Sequence, residues 1–515
     1  MDVPGHLQGS SQEAQLGKIH SLLTDILPPS QLRKAVRNLP SSQYETIEHI
    51  IEKFQKRILD PDHNAPVLIA VFGGSVTLGR ECYPGKKKVR GARLTEPTCN
   101  WPHRLELLIN TLFENEVVKV INLATGGTGT ATGTRMVKYW MYPKDLKESG
   151  PDIIINAYST NDGIGAGGRS GIDGVRDSMQ NFVRAAIESK PCATPPLVVC
   201  VDDYLGNAKG ANDNVLKELN YAMVLEQVAK WYDTVAISYA EVVRNIVYKD
   251  ITNKTFHKHG NVHFEHLAHQ TVAWSVVFAF LEMFENHCDD KQRELFIAET
   301  RDKRQEHNRS AVPILPPPLT NDLTLTKIAS VWKASESGLY QDSFGVDCIG
   351  MNSTDQDPCI VAWIVQRGLF GSNELNNFMR QHIISKSGGW GIESNADDGW
   401  SNKVGFAATT PDASFTLEFK DIAKDLNVVT IFFMRSYGEK WKDSKARFTV
   451  TSSNHKNSTL AQHDIDGVHE MEYSLTLIER IKLTNSVEKG DTIKLKVDMI
   501  SGNAFKIMGM TLCRF

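Results

Sequence analysis

A run of six apolar residues, 67–72 (VLIAVF), is the feature that most constrains the fold of this chain. A strand that is apolar at every position is typical of a parallel sheet whose two faces are both covered. The run ends in Gly73-Gly74-Ser75, and two glycines permit a sharp turn that larger residues would obstruct. The sequence therefore predicts a hydroxyl at the carboxyl edge of a parallel sheet, where open α/β folds bind their ligands.

Four further segments have the pattern of strands, and they alternate with helical patterns along the chain. They are residues 118–122, 153–158, 197–202 and 234–239. This alternation predicts a parallel five-stranded sheet with helices on both faces, in the α/β class. A serine at the edge of such a sheet is either a nucleophile or the cap of the next helix, and the turn alone does not decide between them.

Short polar blocks follow three of these strands, and a fourth precedes a later apolar helix. The blocks contain Ser75 in GGS, Gly127 in TGGTG, Asn161 in STND and His263 in GNVH. Their order and context resemble the SGNH (GDSL-type) hydrolase family over residues 65–285. The resemblance implies a three-layer α/β/α, flavodoxin-like domain and a serine ester hydrolase that needs no cofactor.

The chemistry of ester cleavage explains why such residues would be needed. A hydroxyl requires a base within hydrogen-bond reach, and an imidazole suits that role near neutral pH. The resemblance implies that Ser75 is the nucleophile and His263 the base, with His266 as the alternative base if the register shifts by three residues. It also implies three oxyanion donors, which are the N–H groups of Ser75 and Gly127 and the side-chain amide of Asn161.

Gly260 departs from the family pattern, which usually has an aspartate three residues before the histidine. One explanation is a Ser-His dyad whose ring is oriented by a backbone carbonyl. A second is a triad acid from elsewhere, with Asp202 and Asp203 after the fourth strand as candidates. The third is a degenerate site, which would make the chain a non-catalytic carbohydrate-binding protein. An O-acyltransferase that uses the same residues also stays open, because it shares the acyl-enzyme.

Other ligand classes are disfavoured by pattern. Five histidines lie within residues 257–269, but no His-Glu-x-x-His motif or neighbouring cysteine pair accompanies them, so we predict no metal site. The glycine-rich stretch 126–133 lacks the Lys-Ser/Thr ending of a nucleotide loop. A net charge of −4 does not imply a nucleic-acid partner. The resemblance to the hydrolase family implies instead that the partner is an acyl ester of a carbohydrate or, as the next choice, of a lipid, with a short acyl group such as acetyl.

Patterning along the chain predicts four regions. Residues 1–64 form a helical N-terminal extension, 65–308 the hydrolase-like domain, and 309–330 a stiff proline-rich linker. Residues 331–515 contain segments that alternate with period two, which predicts an antiparallel β-sandwich similar to a jelly roll. Some aromatic residues of this last region are either core residues or stacking faces for sugar rings, namely Phe344, Trp390, Trp400 and Trp441.

The insertion at residues 80–98 carries a group of basic residues between Cys82 and Cys99. It is interpreted as a solvated loop or as a basic rim that attracts an anionic substrate, and a disulfide that closes it is a hypothesis.

The longest nearly apolar stretch, residues 271–284, is too short to span a bilayer and indicates a buried helix. The localisation stays open, either secretory if a signal lies upstream of this sequence or cytoplasmic.

Overall fold

The structure is a computed structural model in which the chain divides into two compact units. The first unit holds the described residues up to 82, then 99–124 and 150–300, and the second holds 125–149 and the described residues from 359 onward. The described residues are 27–41, 43–80, 82, 99–165, 171–189, 194–203, 211–249, 263–264, 266–300, 359–365, 370–393, 403–453, 458–470 and 474–514.

The first unit is built on a six-stranded sheet. Its strands are β1 (Val36–Asn38), β2 (Val67–Gly73), β3 (Val118–Asn122), β4 (Ile153–Ala157), β5 (Leu197–Asp202) and β6 (Val235–Ser238), in the order β3-β2-β4-β5-β6-β1. Strands β2 to β6 are parallel and coincide with the five predicted strands. The predicted α/β fold class is therefore confirmed. The edge strand β1, antiparallel to β6, was not predicted, because three residues are too few to show a period.

Helices flank this sheet and also occur in the second unit. In chain order they are α1 (Pro29–Leu32), α2 (Tyr44–Leu59), α3 (Ser75–Leu78), α4 (Trp101–Leu112), α5 (Thr130–Lys138), α6 (Lys144–Ser149), α7 (Ser159–Gly165), α8 (Gly171–Ile187), α9 (Ala211–Tyr232), α10 (Tyr239–Lys249), α11 (His266–Thr300) and α12 (Ser372–His382). Helices α5, α6 and α12 belong to the second unit. Every residue of β2 is buried, so the strand is covered on both faces. Val67, Ile69 and Val71 share one core with residues of α2, α4, α10 and α11.

Helix α11 is apolar over much of its length. By length and composition its portion His266–Asp289 could cross a membrane, but 61% of its most apolar window is buried inside the protein. Ala268, Val272 and Val276 lie in the core of the first unit. These are the contacts of a core helix, as the sequence predicts for residues 271–284.

The second unit contains two antiparallel sheets. Their strands are β7 (Cys359–Ile364), β8 (Ile383–Ser387), β9 (Trp390–Glu393), β10 (Gly405–Ala408), β11 (Ser414–Phe419), β12 (Leu426–Arg435), β13 (Lys445–Ser452), β14 (Thr459–Asp466), β15 (Leu475–Val487), β16 (Ile493–Ser501) and β17 (Phe505–Cys513). One sheet has the order β15-β12-β17-β10-β9 with β7 also paired to β17, and the other has the order β14-β13-β16-β11-β8. A disulfide between Cys359 and Cys513 links β7 to β17.

Aromatic side chains join the two sheets into one core. The rings of Phe406 and Phe415, from opposite sheets, lie 5.0 Å apart. Trp390 and Trp441 are buried at 3% and 5% exposure, so these two tryptophans are core residues and not exposed stacking faces. Trp400 and Phe344 lie outside the described residues. The antiparallel C-terminal sheets agree with the predicted fold class.

The predicted disulfide between Cys82 and Cys99 is present, and both cysteines are buried. Because this bond closes a loop of 17 residues, replacing both cysteines with serine should lower the free energy of unfolding by about 3 kcal/mol. Urea denaturation of the oxidised protein measures the change. The matched control is Cys288→Ser, since Cys288 is a free and partly exposed thiol whose removal should leave stability nearly unchanged. Mass spectrometry that finds both Cys82 and Cys99 as free thiols would reject the bond.

Candidate active site

The turn after β2 brings Ser75 to the carboxyl edge of the sheet. At positions 73 and 74 this turn has room only for glycine. A Cβ on Gly73 would collide with the hydroxyl of Thr77, which donates a hydrogen bond to the carbonyl of Ala157 on β4. A Cβ on Gly74 would lie 2.5 Å from the amide nitrogen of Asn161. The two glycines therefore let β4 and the segment after it approach the start of α3, which begins at Ser75.

The hydroxyl of Ser75 is paired with an imidazole. His263 Nε2 lies 2.7 Å from Ser75 Oγ, and the two residues are 8% and 9% exposed. A ring nitrogen at this distance can take the hydroxyl proton when the oxygen attacks a carbonyl carbon. The pair is therefore largely shielded from water.

His266, the alternative base, begins α11 and is partly exposed. Its Nδ1 is buried and has no hydrogen-bond partner among the described residues. The ring that contacts Ser75 is thus that of His263. Gly260, His257 and His259 lie outside the described residues, so the position of the departure from the family pattern is not described.

Asn161 stands in the first turn of α7, directly after β4. Its backbone N–H donates to the carbonyl of Tyr158 at 2.9 Å, and its side-chain amide packs against Gly74. The amide therefore lies beside the same turn that carries Ser75. An amide N–H is a neutral donor, which suits it to hold a developing oxyanion.

Asn122, at the end of β3, has a supporting contact that sequence reasoning did not assign. Its Nδ2 donates to the carbonyl of Thr77 at 3.1 Å, and its Oδ1 accepts from the N–H of Ala124 at 3.0 Å. The side chain thereby ties β3 to helix α3. Its place at the end of a predicted strand was the only signal in the sequence.

Gly127 lies in the part of the chain that belongs to the second unit. Its φ is +78°, a conformation that favours glycine, and a Cβ would lie 2.7 Å from the carbonyl oxygen of Ser474. Its own carbonyl accepts from the N–H of Thr476 in β15 at 2.7 Å. Within its unit, the Gly127 turn is therefore fixed by Ser474 and by Thr476 of β15. Its oxyanion role stays a prediction.

The two candidate triad acids lie at the carboxyl end of β5. Asp202 Oδ2 accepts a hydrogen bond from Ser238 Oγ at 2.9 Å. Asp203 Oδ1 accepts from Ser159 Oγ at 2.6 Å and from Thr160 Oγ1 at 3.2 Å, while its Oδ2 has no partner among the described residues. Within the described structure, the carboxyl of Asp203 thus serves two hydroxyls and not the ring of His263. A triad role for Asp202 stays a prediction.

Burial changes the titration of two groups near the site. It raises the pKa of Asp203 to about 7, and the charge of Asp202 acts in the same direction, while the hydrogen bond from Ser159 opposes both. Burial lowers the pKa of His269 to about 3, with further contributions from the charges of Arg104 and of the two nearby histidines. His269 is therefore neutral at physiological pH and packs against the ring of Phe264, with centroids 4.8 Å apart.

The described residues hold no group of three or more histidine, cysteine, aspartate or glutamate side chains that could bind a metal ion. The basic residues between Cys82 and Cys99 all lie within residues 83–98, which are outside the described part of the chain. The proposed basic rim therefore stays a prediction.

The chain is similar in fold to proteins of known structure. No family model matches the sequence, and no curated protein matches it. Among solved structures, a two-domain esterase (CEX) described as active on acetylated mannans matches with a TM-score of 0.50 and 14% identity, covering 94% of this chain and 99% of that one. The chain has an SGNH-type hydrolase fold. At this identity the likeness concerns the fold alone, and it includes the C-terminal sheets.

Other solved structures match the chain over a smaller share. A GDSL-like lipase from Parabacteroides merdae has a TM-score of 0.33 at 11% identity, covering 42% of this chain and 95% of its own. An acetylxylan esterase from Geobacillus stearothermophilus has a TM-score of 0.32 at 14% identity, covering 42% of this chain and 95% of its own.

Proposed function

We propose that this chain is a serine ester hydrolase that removes a short acyl group from a carbohydrate ester. The hydrogen bond between Ser75 Oγ and His263 Nε2 is the observation that carries the proposal. It joins an alcohol and a base at the carboxyl edge of a parallel sheet, with the amide of Asn161 beside the same turn. An alcohol, a base and a neutral donor are the parts that acyl transfer requires.

In the proposed mechanism, Ser75 Oγ attacks the carbonyl carbon of the ester while its proton passes to His263 Nε2. The N–H of Ser75 and the amide of Asn161 hold the oxyanion, together with the N–H of Gly127 by resemblance to the family. The imidazolium then gives its proton to the leaving alcohol oxygen, which leaves an acyl-enzyme on Ser75. Water, deprotonated by His263, attacks the acyl carbon and restores the free serine.

The substrate class is proposed from the shared fold. The two-domain esterase of the same fold is described as active on acetylated mannans, and it covers 94% of this chain. An acetylated mannan is therefore the first substrate to test. Release of acetate from acetylated mannan and from p-nitrophenyl acetate is expected for the full chain. If the chain releases no acid from acetylated mannan, from p-nitrophenyl acetate or from a longer-chain p-nitrophenyl ester, the hydrolase proposal is rejected.

Removal of the Asn161 amide tests the oxyanion role. We expect Asn161→Ala to lower kcat for p-nitrophenyl acetate by about 10²- to 10³-fold with little change in KM, because the donor acts mainly on the charge of the transition state. Steady-state kinetics measure the effect. The matched control is Asn110→Ala, since the Asn110 amide bonds the backbone of Val118 at the start of β3 and should affect stability without affecting kcat. Equal kcat for Asn161→Ala and the wild-type chain would contradict the role.

A further inference from the structure

A buried carboxyl and two hydroxyls meet directly beside the proposed oxyanion residue. We infer that Asp203, Ser159 and Thr160 form a clamp, called here the Asp203 clamp, that positions the amide of Asn161 for catalysis. The inference rests on the proposed hydrolase function and assigns positioning roles to residues that do not themselves touch the substrate.

The clamp is a closed set of short hydrogen bonds. Asp203 Oδ1 accepts from Ser159 Oγ at 2.6 Å and from Thr160 Oγ1 at 3.2 Å. The backbone N–H of Asp203 donates to Ser159 Oγ at 2.8 Å, so this hydroxyl is held from two sides. The three residues are between 0% and 3% exposed, and water does not compete for these bonds.

The position of the clamp in the fold gives it its effect. Ser159 and Thr160 are the first two residues of α7 and immediately precede Asn161. Asp203 directly follows β5, which is hydrogen-bonded to β4, the strand from which α7 continues. The clamp therefore ties the first turn of α7 to the end of a neighbouring strand. As a result, the amide of Asn161 is held in a fixed position relative to the sheet. Catalytic groups require support of this kind, because small displacements of a donor reduce its stabilisation of the transition state.

The clamp also retains a group that a purely structural role would not favour. Asp203 Oδ2 is buried without a hydrogen-bond partner among the described residues, and a buried carboxylate without full compensation destabilises the folded state. Burial raises the pKa of Asp203 to about 7, which reflects the same penalty on the charged form. An uncharged side chain of the same size would pack there at less cost, so the presence of a carboxyl favours a functional use.

A double-mutant cycle tests the clamp. Ser159→Ala and Asp203→Asn are each made in the wild-type chain and in Asn161→Ala, and kcat and KM for p-nitrophenyl acetate are measured with thermal unfolding of every variant. We expect each single variant to lower kcat by about 10- to 100-fold with KM unchanged. In the Asn161→Ala background neither change should lower kcat further, because the group that the clamp positions is already absent.

Controls separate positioning from folding. Ser189→Ala removes an equally short buried bond, 2.6 Å from Ser189 Oγ to the carbonyl of Ala186 at the end of α8, and kcat should not change. If Ser159→Ala or Asp203→Asn fails to fold, Thr160→Val and Thr160→Ser replace them, with loss of kcat expected for valine and retention for serine. Wild-type kcat in the folded clamp variants, or an equal loss with and without Asn161, would overturn the inference. Failure of the hydrolase proposal itself is a separate result, because the wild-type chain would then show no turnover or Ser75→Ala would retain full turnover.

Discussion

Ser75→Ala is expected to lower kcat for p-nitrophenyl acetate by about 10⁴- to 10⁶-fold. The hydroxyl that contacts His263 is the proposed nucleophile, and no acyl-enzyme can form without it. The oxyanion donors would remain, so a small residual rate above that of water alone is expected. Stopped-flow or plate-based release of p-nitrophenolate measures the change over this range.

The fold should tolerate this substitution. Ser75 begins the four-residue helix α3, and alanine is compatible with a helical backbone. Thermal unfolding of Ser75→Ala should therefore match that of the wild-type chain within a few degrees. A well-folded Ser75→Ala variant with full turnover would exclude this serine as the nucleophile.

Loss of the base should have the second largest effect. His263→Ala is expected to lower kcat by about 10⁴-fold or more, because the hydroxyl of Ser75 then has no acceptor for its proton. The rate at which a fluorophosphonate probe modifies the protein should fall in parallel, since the probe reports the activated serine. Kinetics on both the ester and the probe measure the two effects independently.

His266→Ala is the discriminating variant for the base. His266 is three residues from His263, and its ring does not hold the position 2.7 Å from Ser75 Oγ. We expect His266→Ala to retain kcat close to that of the wild-type chain. Large loss of kcat in His266→Ala together with retained kcat in His263→Ala would show that the base was assigned to the wrong histidine.

Much of the α/β unit could be predicted from the sequence because burial on both faces leaves a local signal. Residues 67–72 and 153–157 are apolar or nearly so throughout, and in the structure β2 and β4 are buried at every position. The short strand β1 gives no such signal, since it pairs only at the sheet edge with β6. The strands of the second unit could also be predicted where their sequence alternates with period two. For example, β13 alternates between buried and partly exposed residues along its length.

Only part of the candidate site could be predicted from the sequence. The strand ends that carry Ser75 and Asn161 follow from the order of buried strands, and the sheet topology makes them neighbours. The contact of Gly127 with Thr476 could not be predicted, because it joins residues that are distant in sequence and neither has a distinctive pattern. The Asp203 clamp could not be predicted for the same reason. The sequence indicated a carboxyl after β5, whereas only the structure shows that Asp203 bonds Ser159 and Thr160.

The pairing of Ser75 with His263 is tested most directly by locating the site of covalent modification. The full chain is treated with a fluorophosphonate probe, digested, and analysed by tandem mass spectrometry, with His263→Ala treated in parallel. A single adduct on Ser75, formed much more slowly in His263→Ala, is the predicted result. An adduct on another serine, or an unmodified Ser75 in an enzyme that still hydrolyses esters, would contradict the assignment.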